Sequence, residues 1–179
     1  MVFSSPLRLW LLPSAVLLTA MAIWGAVRYP NLPTRIPAHM GIDGVDAWTD
    51  RSIGSAFTLV IVYAGVTVLV TACAELTLRV TPRAELPDGG AAPFAGGLLP
   101  PSALNRPAGR AAARRIARAL LLLNACIGLS LLVGCGVLWR STPVREVPGW
   151  LFSAMIVPFL AGTALTVAAA AGNRKDTAN

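Results

Sequence analysis

The sequence predicts an all-α integral membrane protein built as a bundle of four transmembrane helices, and three observations carry that prediction. Hydrophobic residues make up 55% of the chain and charged residues 13%, about half the charged share of an ordinary soluble domain, roughly 25%. Four stretches of at least nineteen residues carry no charge, each long enough to cross about 30 Å of hydrocarbon at roughly 1.5 Å per residue. The basic residues flank these stretches and do not interrupt them. An ordered proline-rich extracytoplasmic loop and a disordered cytoplasmic linker complete the expected architecture.

The first span is Leu9–Val27, with Trp10 and Trp24 near its ends where aromatic belts form. A signal-peptide reading competes, because Arg8 precedes the apolar core and Ala20-Met21-Ala22 has the small-x-small form of a cleavage site. The apolar run continues past that site to Val27, which favours a retained span. The second span, Ile53–Ala74, ends at Glu75, which can form an i,i+4 pair with Arg79 at the interface. Thr67 and Thr71 lie one turn apart on it, able to bond back to helix carbonyls or across to a neighbour, the first being commoner.

From 81 to 109 the chain changes character: Pro82, Pro87, Pro93, Pro100, Pro101 and Pro107 alternate with Gly and Ala, and a linker is expected. Helix resumes where Arg110, Arg114 and Arg118 recur every fourth residue with Arg115 beside them, a basic stripe leading into a third span, Ala119–Trp139. Those four arginines are placed to meet lipid headgroups. A fourth span, near Val147–Gly172, carries Pro158, which should kink it. Ser130 and Gly134 in span three, and Ala154, Pro158 and Gly162 in span four, keep the four-residue spacing of small residues that lets helices approach closely. The resulting division is a two-span unit over 1–78, a linker over 79–110, a second two-span hairpin over 111–172 and a polar tail over 173–179.

Orientation follows from the fifteen basic residues. Arg8, Arg79, Arg83, Arg106, Arg110, Arg114, Arg115, Arg118, Arg174 and Lys175 fall on one side; Arg28, Arg35, Arg51, Arg140 and Arg145 fall on the other. The positive-inside rule then puts both termini and the linker in the cytoplasm of a plasma-membrane protein and turns the 29–51 loop outward.

That loop, YPNLPTRIPAHMGIDGVDAWTDR, is the most informative stretch. Pro30, Pro33 and Pro37 fix φ and push their predecessors toward extended backbone, so its first half is stiff and not helical. Leu32 and Ile36 alternate with polar neighbours and are placed to lie on a membrane or protein surface, and Gly41 and Asp43-Gly44 mark a turn. Trp48 is expected at the outer interface near the second span. Leu32-Pro33, Ile36-Pro37, His39, Gly44, Asp46, Trp48 and Arg51 together resemble the pattern of the domain of unknown function 1648, over about residues 7–75. Gly41 stands where that family often has Asn, and nothing after residue 110 resembles the longer second half of its SdpI-type members. The resemblance implies a multi-pass bacterial membrane protein and, through the SdpI-type immunity proteins, a role in immunity to a secreted peptide or in signalling. It also implies that the nine motif residues structure the loop or bind a ligand or partner.

Composition and motifs narrow the chemistry. The net charge of +7 and pI near 10.7 do not point to nucleic acid, because the charges flank apolar runs instead of forming a face with interleaved aromatics. Cys73, Cys126 and Cys135 lie inside the spans and read as packing residues. His39, Asp43 and Asp46 are metal-ligand types, but with no second His a turn-closing Asp43, a helix-capping Asp46 or Asp50, and a His39 bonded to a backbone carbonyl are the simpler expectation; no metal and no cofactor is assigned. No GxSxG, HExxH, phosphate-cradling loop or intramembrane carboxylate pair is present, so an enzyme is not expected. The expected function is recognition by the outward loop, with the bilayer and a membrane protein or extracellular peptide as partners; a transporter-associated or structural membrane subunit is the alternative.

Overall fold

Proline spacing and apolar run length decide where this chain turns. The structure, a computed structural model, describes residues 5–41, 44–86, 106–140 and 148–175. Helix α1 covers Ser5–Arg28 and runs into a 3-10 turn at Tyr29–Asn31, where Pro30 occupies the first turn. Two strands follow, β1 at Arg35–Gly41 and β2 at Gly44–Asp50, paired antiparallel. A one-turn helix α2, Ile53–Ala56, is separated at Phe57 from α3, Thr58–Arg79. After a 3-10 turn at Arg83–Glu85 come α4, Arg110–Leu138, and α5, Trp150–Lys175. Among the described residues four helices are long and apolar enough to cross a membrane, as expected. The loop between the first two of them is sheet, so the fold is four helices with a β-hairpin set between α1 and α2.

Helix α4 is the centre of the bundle and packs against α1, α3 and α5. Its contact faces are made of small residues: Ala112, Ala113, Ala117, Gly128 and Gly134 are all buried. With lipid as solvent, close approach and dispersion hold helices together where water would otherwise drive apolar burial. Gly162 shows the effect: a Cβ there would stand 3.1 Å from the Leu123 Cα, so glycine lets α5 settle onto the α4 backbone. Ser130 Oγ adds a bond to the Met155 carbonyl on α5 and the same hydroxyl bonds back to Cys126. Outward faces are apolar and exposed, with Leu9, Val68 and Val167 more than 60% accessible, as a lipid-facing surface requires.

Two apolar clusters mark the two ends. At the hairpin end Met21, Leu32, Ile36, Ala56, Tyr63, Cys135, Leu138 and Trp139 pack together. At the opposite end Ala74, Ala117 and Leu121 pack with Trp10, Leu11 and Leu78. There the expected linker is anchored at both roots. Arg83 and Ala84 donate backbone bonds to the Pro107 and Ala108 carbonyls, and Arg106 Nη1 donates to the Thr81 carbonyl at 3.1 Å. The disorder expected for the linker's middle, 87–105, and the start of the fourth span at Val147 lie outside the described residues.

Candidate functional site

The hairpin is irregular for reasons visible in its residues. Arg35, Ile36 and Pro37 pair with Asp50, Thr49 and Trp48, after which the register passes to His39↔Ala47 and then Met40↔Val45, skipping Ala38 on one strand and Asp46 on the other. Pro37 has no N–H to give the ladder, and two offset bulges let the strands bypass it and regain register. Gly44 enters β2 at φ 107°, a conformation open to glycine, which is the physical reason for Gly at this position of the motif. Ile42 and Asp43, the tip of the expected turn, lie outside the described residues.

The base of the hairpin is built into the bundle. Leu32 and Ile36 are 5% and 0% exposed and pack in the cluster with Met21, Tyr63 and Trp139, so these motif residues meet protein and not lipid. Arg51 closes the base: its Nη1 donates to the Leu32 carbonyl at 2.6 Å, its guanidinium lies 5.6 Å from the Tyr29 ring centroid, and its backbone N–H bonds the Thr34 carbonyl. Ser52 then caps α2 through a reciprocal pair of bonds with Ser55, whose hydroxyl also donates to the Asp50 carbonyl. The cap is therefore Ser52, not Asp46 or Asp50. Interruption at Phe57 leaves the Ala56 carbonyl open, and Trp139 Nε1 donates to it at 2.8 Å. Trp139 also meets Trp24 edge-on at 5.4 Å and Phe57 at 6.0 Å, so α1, α2 and α4 share one aromatic joint beneath the hairpin.

Above this base the polar motif residues are exposed. His39 Nδ1 lies 2.7 Å from Asp46 Oδ1, with side chains 69% and 57% accessible, where a bond to a backbone carbonyl was the simpler expectation. The bulges bring this about by turning two residues that are not register partners toward each other. The hydrogen bond from His39 holds the Asp46 carboxyl below the ordinary aspartate value, with a smaller charge contribution from the same imidazole. Arg35 and Asp50 pair more loosely at 3.7 Å across the open end. Pro37 and Trp48 face each other half-buried, and Pro33 is likewise half-buried. Between β1 and the helices runs a groove of about 420 Å³, with Pro37, His39 and Thr49 on one wall and Thr58, Leu59 and Leu138 on the other. Among the described residues no group of three His, Cys, Asp or Glu is placed to hold a metal ion.

Residues 16–63 match the family model of a domain of unknown function, DUF1648. The matched stretch begins in α1, includes the whole hairpin and α2, and ends in α3 at the buried Tyr63, about a quarter of the chain. No curated protein and no solved structure matches the chain. The motif thus divides into a buried base, Leu32 and Ile36, with Arg51 bonded beneath it, a buried Gly44 at the turn end, and an exposed rim, His39 and Asp46.

At the other end the arginine stripe also divides. Arg110 makes a two-pronged pair with Glu85, at 2.8 and 2.7 Å, and reaches the Leu78 carbonyl. Arg114, Arg115 and Arg118 line a separate cavity. Glu75 and Arg79 form the expected i,i+4 pair at 2.9 Å. Asn124, fully buried midway along α4 and not among the residues expected to matter, donates through Nδ2 to Ser14 on α1 and Thr67 on α3. Thr67 therefore bonds across helices. Tyr63 lies beside Ser14 and Thr67 but outside hydrogen-bonding geometry with either, and its Oη and Asn124 Oδ1 are buried without a partner. The signal was available: one amide inside the uncharged run LLLLNACIG.

Proposed function

We propose that this is a non-enzymatic bacterial plasma-membrane protein whose hairpin faces away from the cytoplasm and recognises an extended peptide or the exposed segment of a membrane partner. One observation carries the reading: the His39–Asp46 pair stands exposed at the rim of the hairpin groove while the base beneath it is locked by Ile36, Leu32 and Arg51. A rim held on a rigid base loses little conformational freedom on binding. A two-stranded hairpin also has outer edges whose backbone groups can accept an added strand, and Thr49, Ser55 and Thr58 put hydroxyls along the groove. The ten-to-five division of basic residues supports both termini being cytoplasmic. Resemblance to the SdpI-type immunity proteins supports a secreted, membrane-active peptide as the ligand.

The test is survival of cells carrying or lacking the gene under a panel of membrane-active peptides, with complementation by variants. Loss of protection is expected when residues 35–50 are replaced by a Gly/Ser loop of equal length, and partial loss in His39→Ala with Asp46→Ala. Equal survival of every strain rejects immunity. Binding of the protein to a partner with the hairpin replaced would indicate a structural subunit instead.

A further inference from the structure

We propose that the basic end of the bundle holds a discrete site for one anionic phospholipid, its phosphate received by Arg114 and Arg118 and one acyl chain lying along the slot between α4 and α5. This inference is independent of the hairpin's role. A cavity of about 720 Å³ opens between α1, α4 and α5, with the three arginines and Trp10 around it and Leu122 and Leu165 among its apolar walls. That volume lies within the usual range for small-molecule sites.

The charges of Arg114 and Arg118 are not compensated by the cavity lining. None of the lining residues is acidic. Glu85 is occupied by Arg110 and Glu75 by Arg79. Arg114 and Arg118 have no carboxylate partner among the described residues. Arg118 is positioned over the Trp10 ring, its Cζ 5.5 Å from the centroid, and Arg114 Nε bonds the Arg110 carbonyl at 3.4 Å. Arg115 lies across α5 at Gly172, where a Cβ would stand 3.1 Å from its guanidinium nitrogen. Arg114 and Arg118, held at one cavity, repel each other until an anion with several acceptor oxygens is shared between them, and a phosphate is the group whose geometry suits them. The apolar walls decide what carries it. Inorganic phosphate or a nucleic-acid backbone has no use for a slot running toward Leu122 and Leu165, whereas a phospholipid fills both parts.

Native mass spectrometry of the full chain, titrated with phosphatidylglycerol and with phosphatidylcholine of the same acyl chains, tests this. A single tight phosphatidylglycerol adduct is expected, with phosphatidylcholine weaker. Arg114→Gln and Arg118→Gln should each weaken it about fivefold, the factor to which one basic residue's attraction for an anionic surface converts. Arg118→Lys should retain most of the binding and Arg83→Gln all of it. Ala168→Phe fills the lining without touching a charge and should weaken the adduct as strongly as an arginine change, in protein that elutes as the unaltered chain does. Equal binding of the two lipids, or an unchanged adduct in Ala168→Phe beside a loss in the arginine variants, overturns the site in favour of diffuse charge. Displacement of the lipid by millimolar inorganic phosphate, or by a DNA oligonucleotide, overturns the lipid as its occupant.

Discussion

The Asn124 amide on α4 donates to Ser14 Oγ on α1 at 2.8 Å, joining residues 110 positions apart in the middle of the bundle. A second bond from the same nitrogen, 3.1 Å to Thr67 Oγ1, brings in α3. In a setting with no water to take up a lost bond, such a contact fixes the rotation of three helices about their axes as much as it stabilises them. Asn124→Ala should therefore lower stability in a detergent-denaturation titration by about 1–2 kcal/mol, the upper part of the range for interhelical polar contacts. Asn124→Leu would restore volume but not the bonds, and should recover only part of that. No change in either variant would mean the amide is a passenger.

Two glycines offer a sharper contrast. A Cβ at Gly128 on α4 would run into the Tyr63 hydroxyl, while one at Gly65 on α3 would meet nothing within 4 Å. Alanine is the better helix former by about 1 kcal/mol, so Gly65→Ala should be neutral or stabilising. Gly128→Ala should destabilise by about 1–3 kcal/mol through overpacking. Paired denaturation curves decide it, and equal effects would contradict the packing of Tyr63 against α4.

The four spans are legible in the sequence because length and lack of charge are read directly, and Glu75–Arg79 because its spacing is local. Strand pairing is not, since Pro37 argues against a strand until the partner's compensating bulge at Asp46 is seen. The His39–Asp46 contact depends on that bulge, which explains why neither residue's partner can be deduced from spacing. Arg110 reads as one of four equal arginines because Glu85, its partner, lies across the linker. Likewise Leu32 and Ile36 are recognisably a face, but only Trp139, more than a hundred residues later, makes that face interior.

The hairpin rim should respond to acid in one direction. Asp46 is held below its ordinary value in the folded hairpin by the His39 bond. Its stabilisation is then fully present above the unfolded value of about 3.9 and is lost as pH falls through the lower folded value. The Trp48 indole resonance in lipid nanodiscs should shift between pH 5 and pH 2 as the rim loosens, and Asp46→Asn should abolish the part of the shift that titrates below pH 4. An identical profile in both proteins would remove Asp46 from the account.

Topology can be read by labelling. In a chain whose Cys73, Cys126 and Cys135 are replaced by Ala, a single Cys at Thr34 should react with a membrane-impermeant maleimide on intact cells, and one at Ser102 only after lysis. Thr34 is exposed beside the hairpin base, so access is not limited by packing. The opposite pattern would invert the assignment of both termini to the cytoplasm.

The base and rim of the hairpin should fail differently. Ile36 is wholly buried beside Trp139, and Arg51 bonds the Leu32 carbonyl while covering Tyr29. Ile36→Ala removes apolar contacts from the joint between α1 and α4 and is expected to cost about 2–4 kcal/mol. Arg51→Ala, at a more exposed site, should cost about 1 kcal/mol. Amide exchange across 29–51 should rise in both variants, and in Ile36→Ala it should rise also in the last turn of α4, which shares the cluster through Leu138. His39→Ala removes only the rim bond, so its increase should be confined to residues near 38–47, and Arg51→Lys should restore part of the protection through charge without the planar contact to Tyr29. Fast exchange throughout 35–50 in the unaltered protein, unmoved by any of these changes, would make the hairpin a tether and leave the burial of Ile36 without consequence.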